Sequence, residues 1–171
     1  MKKLKSKTQK IYDRTRRVTK AYFSKMPHNL HLVPFFFISA ERYFLNVQNY
    51  NGLFFIRKNH LRCFLHKAKV RKDLAESTIV DRFSNDLIEV AREKGVMKPS
   101  YSKLFIQSKI NLAKLLVRNG QFGKAQKTIT EAFYELNLSR TEFPDYYKSD
   151  IFESDLFHLQ RMLDETIEGE E

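Results

Sequence analysis

Apolar residues recur at spacings of three and four along most of the chain, and this periodicity constrains the fold more than any other feature. Residues 72–94 give the clearest example, with Leu74, Ile79, Val80, Phe83, Leu87, Ile88 and Ala91. Such spacing gathers apolar side chains on one side of a helix. No strand-like alternation of useful length occurs, and 171 residues include only 5 glycines and 4 prolines for turns. The sequence therefore predicts an all-α protein.

The turn residues between the apolar runs predict where the individual helices begin and end. Polar turn residues at 49–52, the pair Gly95 and Pro99, and Gly120 with Gln121 separate the apolar runs. Helices are expected at residues 35–48, 53–73, 72–94, 122–136 and 149–167. A further helix, capped by Ser100 or Ser102, is expected to carry the apolar residues from Leu104 to Val117. The domain division that follows is a basic N-terminal arm at 1–30, a helical domain at 31–167 with a capping helix at 149–167, and an acidic tail at 168–171.

Charge is distributed unevenly along the chain. The net charge is +11, yet residues 1–72 contain 18 Lys and Arg against two acids, Asp13 and Glu41. Within the first 25 residues Ile11, Val18 and Tyr22 share one side of a helix, which predicts a basic amphipathic helix. The candidate nucleic-acid contacts in this arm are Lys2, Lys3, Lys5, Lys7, Lys10, Arg14, Arg16, Arg17 and Lys20.

Three interpretations of this basic segment remain open. As an arm for RNA, DNA or a ribonucleoprotein, it would release counterions from phosphates, and Tyr12, Tyr22 and Phe23 would stack on bases. As a targeting peptide, it has the basic, acid-poor composition of a mitochondrial presequence. As a solvated tail, it would only add solubility.

The stretch from Asn119 to Ala132 is interpreted as helix, then turn, then helix. Gly120 permits the reversal of the chain, and Phe122 follows directly as an apolar plug. Two antiparallel helices joined by so short a turn must touch, which requires small side chains where they cross. The residues expected to pack this hairpin are Leu112, Ala113, Leu116, Gly120, Phe122, Ala125, Ile129 and Ala132.

These eight residues make the segment 106–139 resemble a tetratricopeptide repeat, a unit of two helices and about 34 residues. The resemblance implies hairpins stacked as a short right-handed array that binds a protein or peptide partner on its concave face, without catalysis, cofactor or metal. Four side chains on the first helix of the hairpin are then the candidate partner contacts: Gln107, Lys109, Lys114 and Arg118. The proline and the early aromatic residue typical of the family are missing.

A second copy of the turn motif lies upstream. Residues 51–54 read Asn-Gly-Leu-Phe, and residues 119–122 read Asn-Gly-Gln-Phe. The offset equals about two family periods, which favours an array, but the unit between the copies fits poorly. An irregular helical bundle is the alternative fold. An incomplete array would also have uncovered ends, so self-association is a further expectation.

One cluster of side chains supports an alternative of another class, a small helical enzyme or metal-binding protein. His60, Cys63 and His66 lie on neighbouring turns of one predicted helix. The two histidines are about 9 Å apart along the helix axis, which is too far for one zinc ion. We therefore expect no catalytic residue and no metal ligand.

Composition also bears on location. The longest strongly apolar run has nine residues, 32–40, whereas a transmembrane helix needs about 20. The single cysteine, Cys63, excludes an internal disulfide and suits a reducing compartment. These features predict a cytoplasmic protein without a transmembrane segment, and the mitochondrion is the alternative location.

Overall fold

The computed structural model describes residues 6–24, 33–147 and 151–169. Within these residues the chain forms seven helices and no strand, which confirms the all-α prediction. The helices are α1 (Lys7–Ser24), α2 (Val33–Asn46), α3 (Tyr50–Arg71), α4 (Leu74–Glu93), α5 (Pro99–Arg118), α6 (Phe122–Glu142) and α7 (Ile151–Glu168). None of them, over the described ranges, combines the length and apolar character that a bilayer crossing requires.

The chain divides into two compact units, and the boundary falls inside α3. Unit 1 covers Met1–Phe64 and unit 2 covers Leu65–Glu171. In unit 1, α1 packs against α2 and the first part of α3 through a buried stripe of Thr15, Thr19 and Tyr22. The shared core consists of Tyr22, Phe37, Ala40, Phe44, Leu53, Ile56 and Cys63. The predicted amphipathic helix in the basic segment is thus confirmed, and its described part, α1, packs into unit 1.

Unit 2 is organised around α5, which contacts α4, α6 and α7 and has its most extensive contacts with α6. Two predicted helix ends are confirmed by backbone geometry, since Gly95 has φ +62° and Gly120 has φ +66°. These values lie in the left-handed region that favours glycine. Pro99 stands at the first position of α5, where its missing N–H leaves no hydrogen bond unmade.

The helix after Gly120 is longer than its apolar pattern predicts. It was expected to end at Leu136, but α6 continues to Glu142. Tertiary contacts of polar residues account for the extension. Ser139 is fully buried and hydrogen-bonds Ser102, and Arg140 pairs with Glu153 at 2.7 Å.

The turn predicted at residues 49–52 lies earlier than expected. Gln48 carries the positive φ of 50°, and Gly52 is already inside α3. A Cβ atom at Gly52 would overlap the ring of Phe44, so this glycine serves close packing of α2 on α3 and does not reverse the chain. The motif shared by residues 51–54 and 119–122 therefore has two different structural roles.

Candidate binding surfaces

The turn between α5 and α6 brings together the residues expected to pack the hairpin. Ala113, Ala125, Ile129 and Ala132 are 0% exposed. Leu112 and Leu116 are also buried, and Phe122 is half-buried beside the turn. The alanines thus lie inside unit 2, where the absence of a longer side chain permits the close approach of helices.

On its other side, α5 presents a polar stripe of Gln107, Asn111, Lys114 and Arg118. Their spacing of four, three and four residues places them on one face over about 16 Å of helix. Three of these residues are candidate partner contacts from the sequence. Asn111 was missed, although the same spacing identifies it.

This stripe lines a groove of about 390 Å³ in unit 2, which we call the α5 groove. Buried Ile110 and Leu115 form an apolar floor. The lining is completed by Lys69 of α3, by Lys72 directly after α3, and by Phe152 and Asp155 of α7. Nothing in the local sequence of α5 identifies these four residues, because only the tertiary fold brings α3 and α7 beside it.

The α5 groove carries four cationic side chains and one carboxylate, that of Asp155. Burial lowers the pKa of Lys69, the charge of Lys114 lowers it further, and Asp155 partly opposes both. Within the described residues, Lys72, Lys114 and Arg118 form no ion pair. An anion in the groove would therefore relieve repulsion among the cations.

Lys109, the fourth candidate partner contact, is not on this surface, so that prediction was wrong. Its side chain is 3% exposed and forms ion pairs with Asp81 of α4 at 3.0 Å and with Glu131 of α6. Lys109 lies only two positions after Gln107, and two residues turn a helix by about 200°. The position therefore faces the interior of unit 2, and its charge is neutralised by neighbouring carboxylates.

In unit 1, all six described candidate nucleic-acid contacts on α1 are exposed, whereas Lys2, Lys3 and Lys5 lie outside the described residues. Three of the six lie over aromatic rings of α2 and α3: Lys7 on Tyr43 at 4.8 Å, Arg14 on Phe36 at 4.8 Å and Arg16 on Phe55 at 5.9 Å. These cations help to hold α1 on the unit. The other three, Lys10, Arg17 and Lys20, have no ion pair or ring contact within the described residues.

The three aromatic residues expected to stack on bases differ in how exposed they are. The ring of Tyr12 lies 5.5 Å from that of Phe44 and 4.9 Å from that of Phe55, and Tyr22 is 7% exposed. Both tyrosines belong to the packing of unit 1, which corrects their assignment as base contacts. Phe23 is 39% exposed.

The surroundings of Cys63 give no support to a nucleophile or metal site. The thiol is 1% exposed, and burial raises its pKa to about 12, with smaller opposing effects from Arg62 and Thr19. The ring of His60 lies 4.8 Å from that of Phe37 and 4.2 Å from that of Phe64. Within the described ranges, no group of three or more His, Cys, Asp or Glu side chains is arranged to hold a metal ion.

The fold and these surfaces define an all-α protein with a basic groove in unit 2 and a basic helix in unit 1. No protein-family model, no curated protein and no solved structure matches this chain. The resemblance to tetratricopeptide repeats therefore stays a prediction.

Proposed function

We propose that this chain is a non-catalytic helical adaptor whose α5 groove binds an acidic segment of a protein partner. The observation that carries the proposal is the composition of that groove, in which four cations and one carboxylate surround an apolar floor. Because residues of three helices line the α5 groove, it is a concave surface and not a single solvent-exposed helix face.

The lining fits a peptide better than a phosphate chain. Lys72, Lys114 and Arg118 would pair with carboxylates, and the floor of Ile110 and Leu115 would receive an apolar side chain. The carboxylate of Asp155 would repel a continuous row of phosphates but would accept hydrogen bonds from peptide N–H groups. The expected ligand thus combines acidic and apolar side chains.

We further propose that α5 and α6 act as one hairpin of a short array resembling tetratricopeptide repeats. The buried Ala113, Ala125 and Ala132, and the contacts of α5 with α4, α6 and α7, support this arrangement. Such an array binds its ligand on a concave surface, and we assign α5 to that surface.

Fluorescence anisotropy tests the groove directly. The probe is a short labelled peptide in which glutamates alternate with leucines, and the variant is Lys114→Glu with Arg118→Glu. We expect this double reversal to weaken binding by about tenfold or more, because both cations are lost and two repulsive charges are gained.

The matched control is Lys103→Glu with Lys127→Glu, which changes the net charge equally at two exposed positions outside the groove. This control is expected to bind nearly as tightly as the original chain. Equal loss in both double variants, or no binding of the acidic peptide by the original chain, would refute the groove as the partner site.

A second candidate function, docking on nucleic acid, is favoured by the exposed cations of α1. Lys10 and Arg17 lie seven residues apart on one helix face, and neither is neutralised by a described carboxylate. The test is the affinity for labelled oligothymidylate over a salt series. Lys10→Gln with Arg17→Gln should flatten the salt dependence by about 0.7 per lost phosphate contact, whereas Lys103→Gln with Lys127→Gln should leave it unchanged.

A further inference from the structure

A cleft of about 490 Å³ lies in unit 1 between α1 and α3, and we call it the α1 cleft. Arg16, Lys20 and Phe23 line it from α1, at spacings of four and three residues that place them on one helix face. Asn59 and Arg62 line it from α3, again three residues apart. Two helix faces thus converge on one concavity.

The cleft is cationic and contains no carboxylate in its lining. Arg16, Lys20 and Arg62 supply three positive charges. Arg16 also forms an ion pair with Asp13 of the preceding turn, whose Oδ1 lies 3.8 Å from Nη1 of Arg16. Lys20 and Arg62 form no ion pair within the described residues. Two of the three cations, Lys20 and Arg62, therefore have no carboxylate counterion among the described residues.

An aromatic ring stands at the same place. Phe23 is partly exposed, and the guanidinium of Arg62 lies 5.4 Å from the centre of its ring. A planar guanidinium beside an aromatic ring offers both a stacking surface and a phosphate-binding group. A site for inorganic phosphate alone would not require the aromatic ring of Phe23.

We propose that the α1 cleft binds one nucleotide of a single-stranded nucleic acid. Arg16, Lys20 and Arg62 contact its phosphate, and its base stacks against Phe23. The assignment deepens the proposed docking on nucleic acid and rests on it. Single strands are favoured over duplexes because a base must leave its stack to reach the ring.

The rest of α1 provides a path for the neighbouring phosphates. Lys10, Arg14 and Arg17 form a second exposed row along the same helix. An 18-residue helix is about 27 Å long, which suits a strand of several nucleotides. This row lies about 120° around α1 from the side chains of the cleft, so a strand of several nucleotides would reach it by crossing the exposed face of the helix. A free phosphate cannot do so.

The experiment separates stacking from charge in the full chain. Labelled oligothymidylate is titrated over a salt series with the original chain, Phe23→Leu and Arg62→Gln. Phe23→Leu should weaken binding about tenfold with an unchanged salt slope, since base–aromatic stacking is lost while every charge remains. Arg62→Gln should weaken binding and reduce the salt slope by about 0.7, because one phosphate contact is removed.

Matched controls lie elsewhere on unit 1. Phe35→Leu alters an aromatic residue that is 73% exposed, and Arg42→Gln removes an exposed cation of α2. Both should retain the affinity and the salt slope of the original chain. Far-UV circular dichroism of each variant should show the helix content of the original chain.

The outcomes distinguish a failure of nucleic-acid docking from a failure of the α1 cleft assignment. If the original chain does not bind oligothymidylate at all, docking on nucleic acid fails, and the cleft fails with it. If it binds with a salt slope, but Phe23→Leu matches Phe35→Leu and Arg62→Gln matches Arg42→Gln, only the cleft assignment is overturned. Equal affinity for a duplex of the same length, or displacement by the glutamate–leucine peptide at lower concentration than by unlabelled oligothymidylate, also overturns it.

Discussion

The Nζ atom of Lys109 lies 3.0 Å from Oδ2 of Asp81, and both residues are buried in unit 2. The same ammonium reaches Glu131, so one lysine of α5 connects α4 and α6. Burial raises the pKa of Asp81, although the charge of Lys109 and its hydrogen bond oppose the shift. The pair therefore fixes which faces of three helices meet, while the cost of taking charges out of water limits its net stabilisation.

Removal of one partner from this pair should be strongly destabilising. Lys109→Met leaves the Asp81 carboxylate buried without its counter-charge, and we expect a loss of about 3–5 kcal/mol in the free energy of unfolding. Urea denaturation followed by circular dichroism measures the loss. The control, Lys103→Met, changes an exposed lysine of the same helix and should stay within about 0.5 kcal/mol.

A double variant checks that the loss comes from the unpaired carboxylate. Lys109→Met with Asp81→Asn should regain part of the stability lost by Lys109→Met alone, because a neutral amide costs less to bury than a carboxylate. Additive losses would show that the two side chains are not energetically coupled.

Gly120, in the hairpin turn, and Gly123, in the first turn of α6, should respond in opposite directions to alanine. Gly120 has φ +66°, so Gly120→Ala should cost roughly 1–2 kcal/mol of strain. Gly123 is an exposed residue of α6 with open space around the position of a Cβ atom. Gly123→Ala should therefore stabilise the protein by up to about 1 kcal/mol. Thermal unfolding of both variants gives the signs, and a stabilising Gly120→Ala would contradict the turn geometry.

Local chemistry accounts for what the sequence predicts correctly and for where it fails. A left-handed backbone has few residue choices, so Gly95 and Gly120 identify their turns without tertiary information. Gly52 lies in a similar sequence motif, but glycine is required there because a Cβ atom would overlap the ring of Phe44. No local pattern distinguishes these two uses of glycine.

For the candidate binding residues, too, the sequence predicts what local spacing determines and misses what tertiary packing determines. Gln107, Lys114 and Arg118 are predictable because their helix spacing places them on one face. Lys69 and Asp155 join them only through the packing of α3 and α7 beside α5. The charge of Lys109 alone predicts a solvent-exposed side chain. Its carboxylate partners are 28 and 22 residues away in sequence, so no local pattern indicates that the side chain is buried.

The close packing at Ala132 provides a prediction about side-chain size. Ala132 is 0% exposed, so Ala132→Leu should overpack the interior of unit 2 and cost roughly 1–3 kcal/mol. Ala75→Leu, at an exposed position of α4, is the size-matched control and should be nearly neutral. Chemical denaturation compares the two. A neutral Ala132→Leu would mean that space remains beside this alanine.

The buried thiol of Cys63 should make stability depend on pH in the alkaline range. Its pKa is about 12 in the folded chain against an ordinary value of 9.0, so folding favours the protonated thiol. The resulting stabilisation is fully present below about pH 9 and is lost as the pH rises towards 12. By about pH 10, the original chain should have lost roughly 1 kcal/mol relative to Cys63→Ala, in which no thiol titrates.

Comparison with Cys63→Ala is necessary because tyrosines and lysines titrate in the same range, and their contributions cancel in the difference between the two proteins. Thiol alkylation gives an independent measurement, since the thiolate is the reactive form. At about pH 8, iodoacetamide should modify Cys63 slowly in the folded chain and rapidly in denaturant, because the fold both excludes the reagent and keeps the sulfur protonated. Rapid, complete modification of the folded chain would contradict the buried position of Cys63 and reopen the case for a reactive thiol.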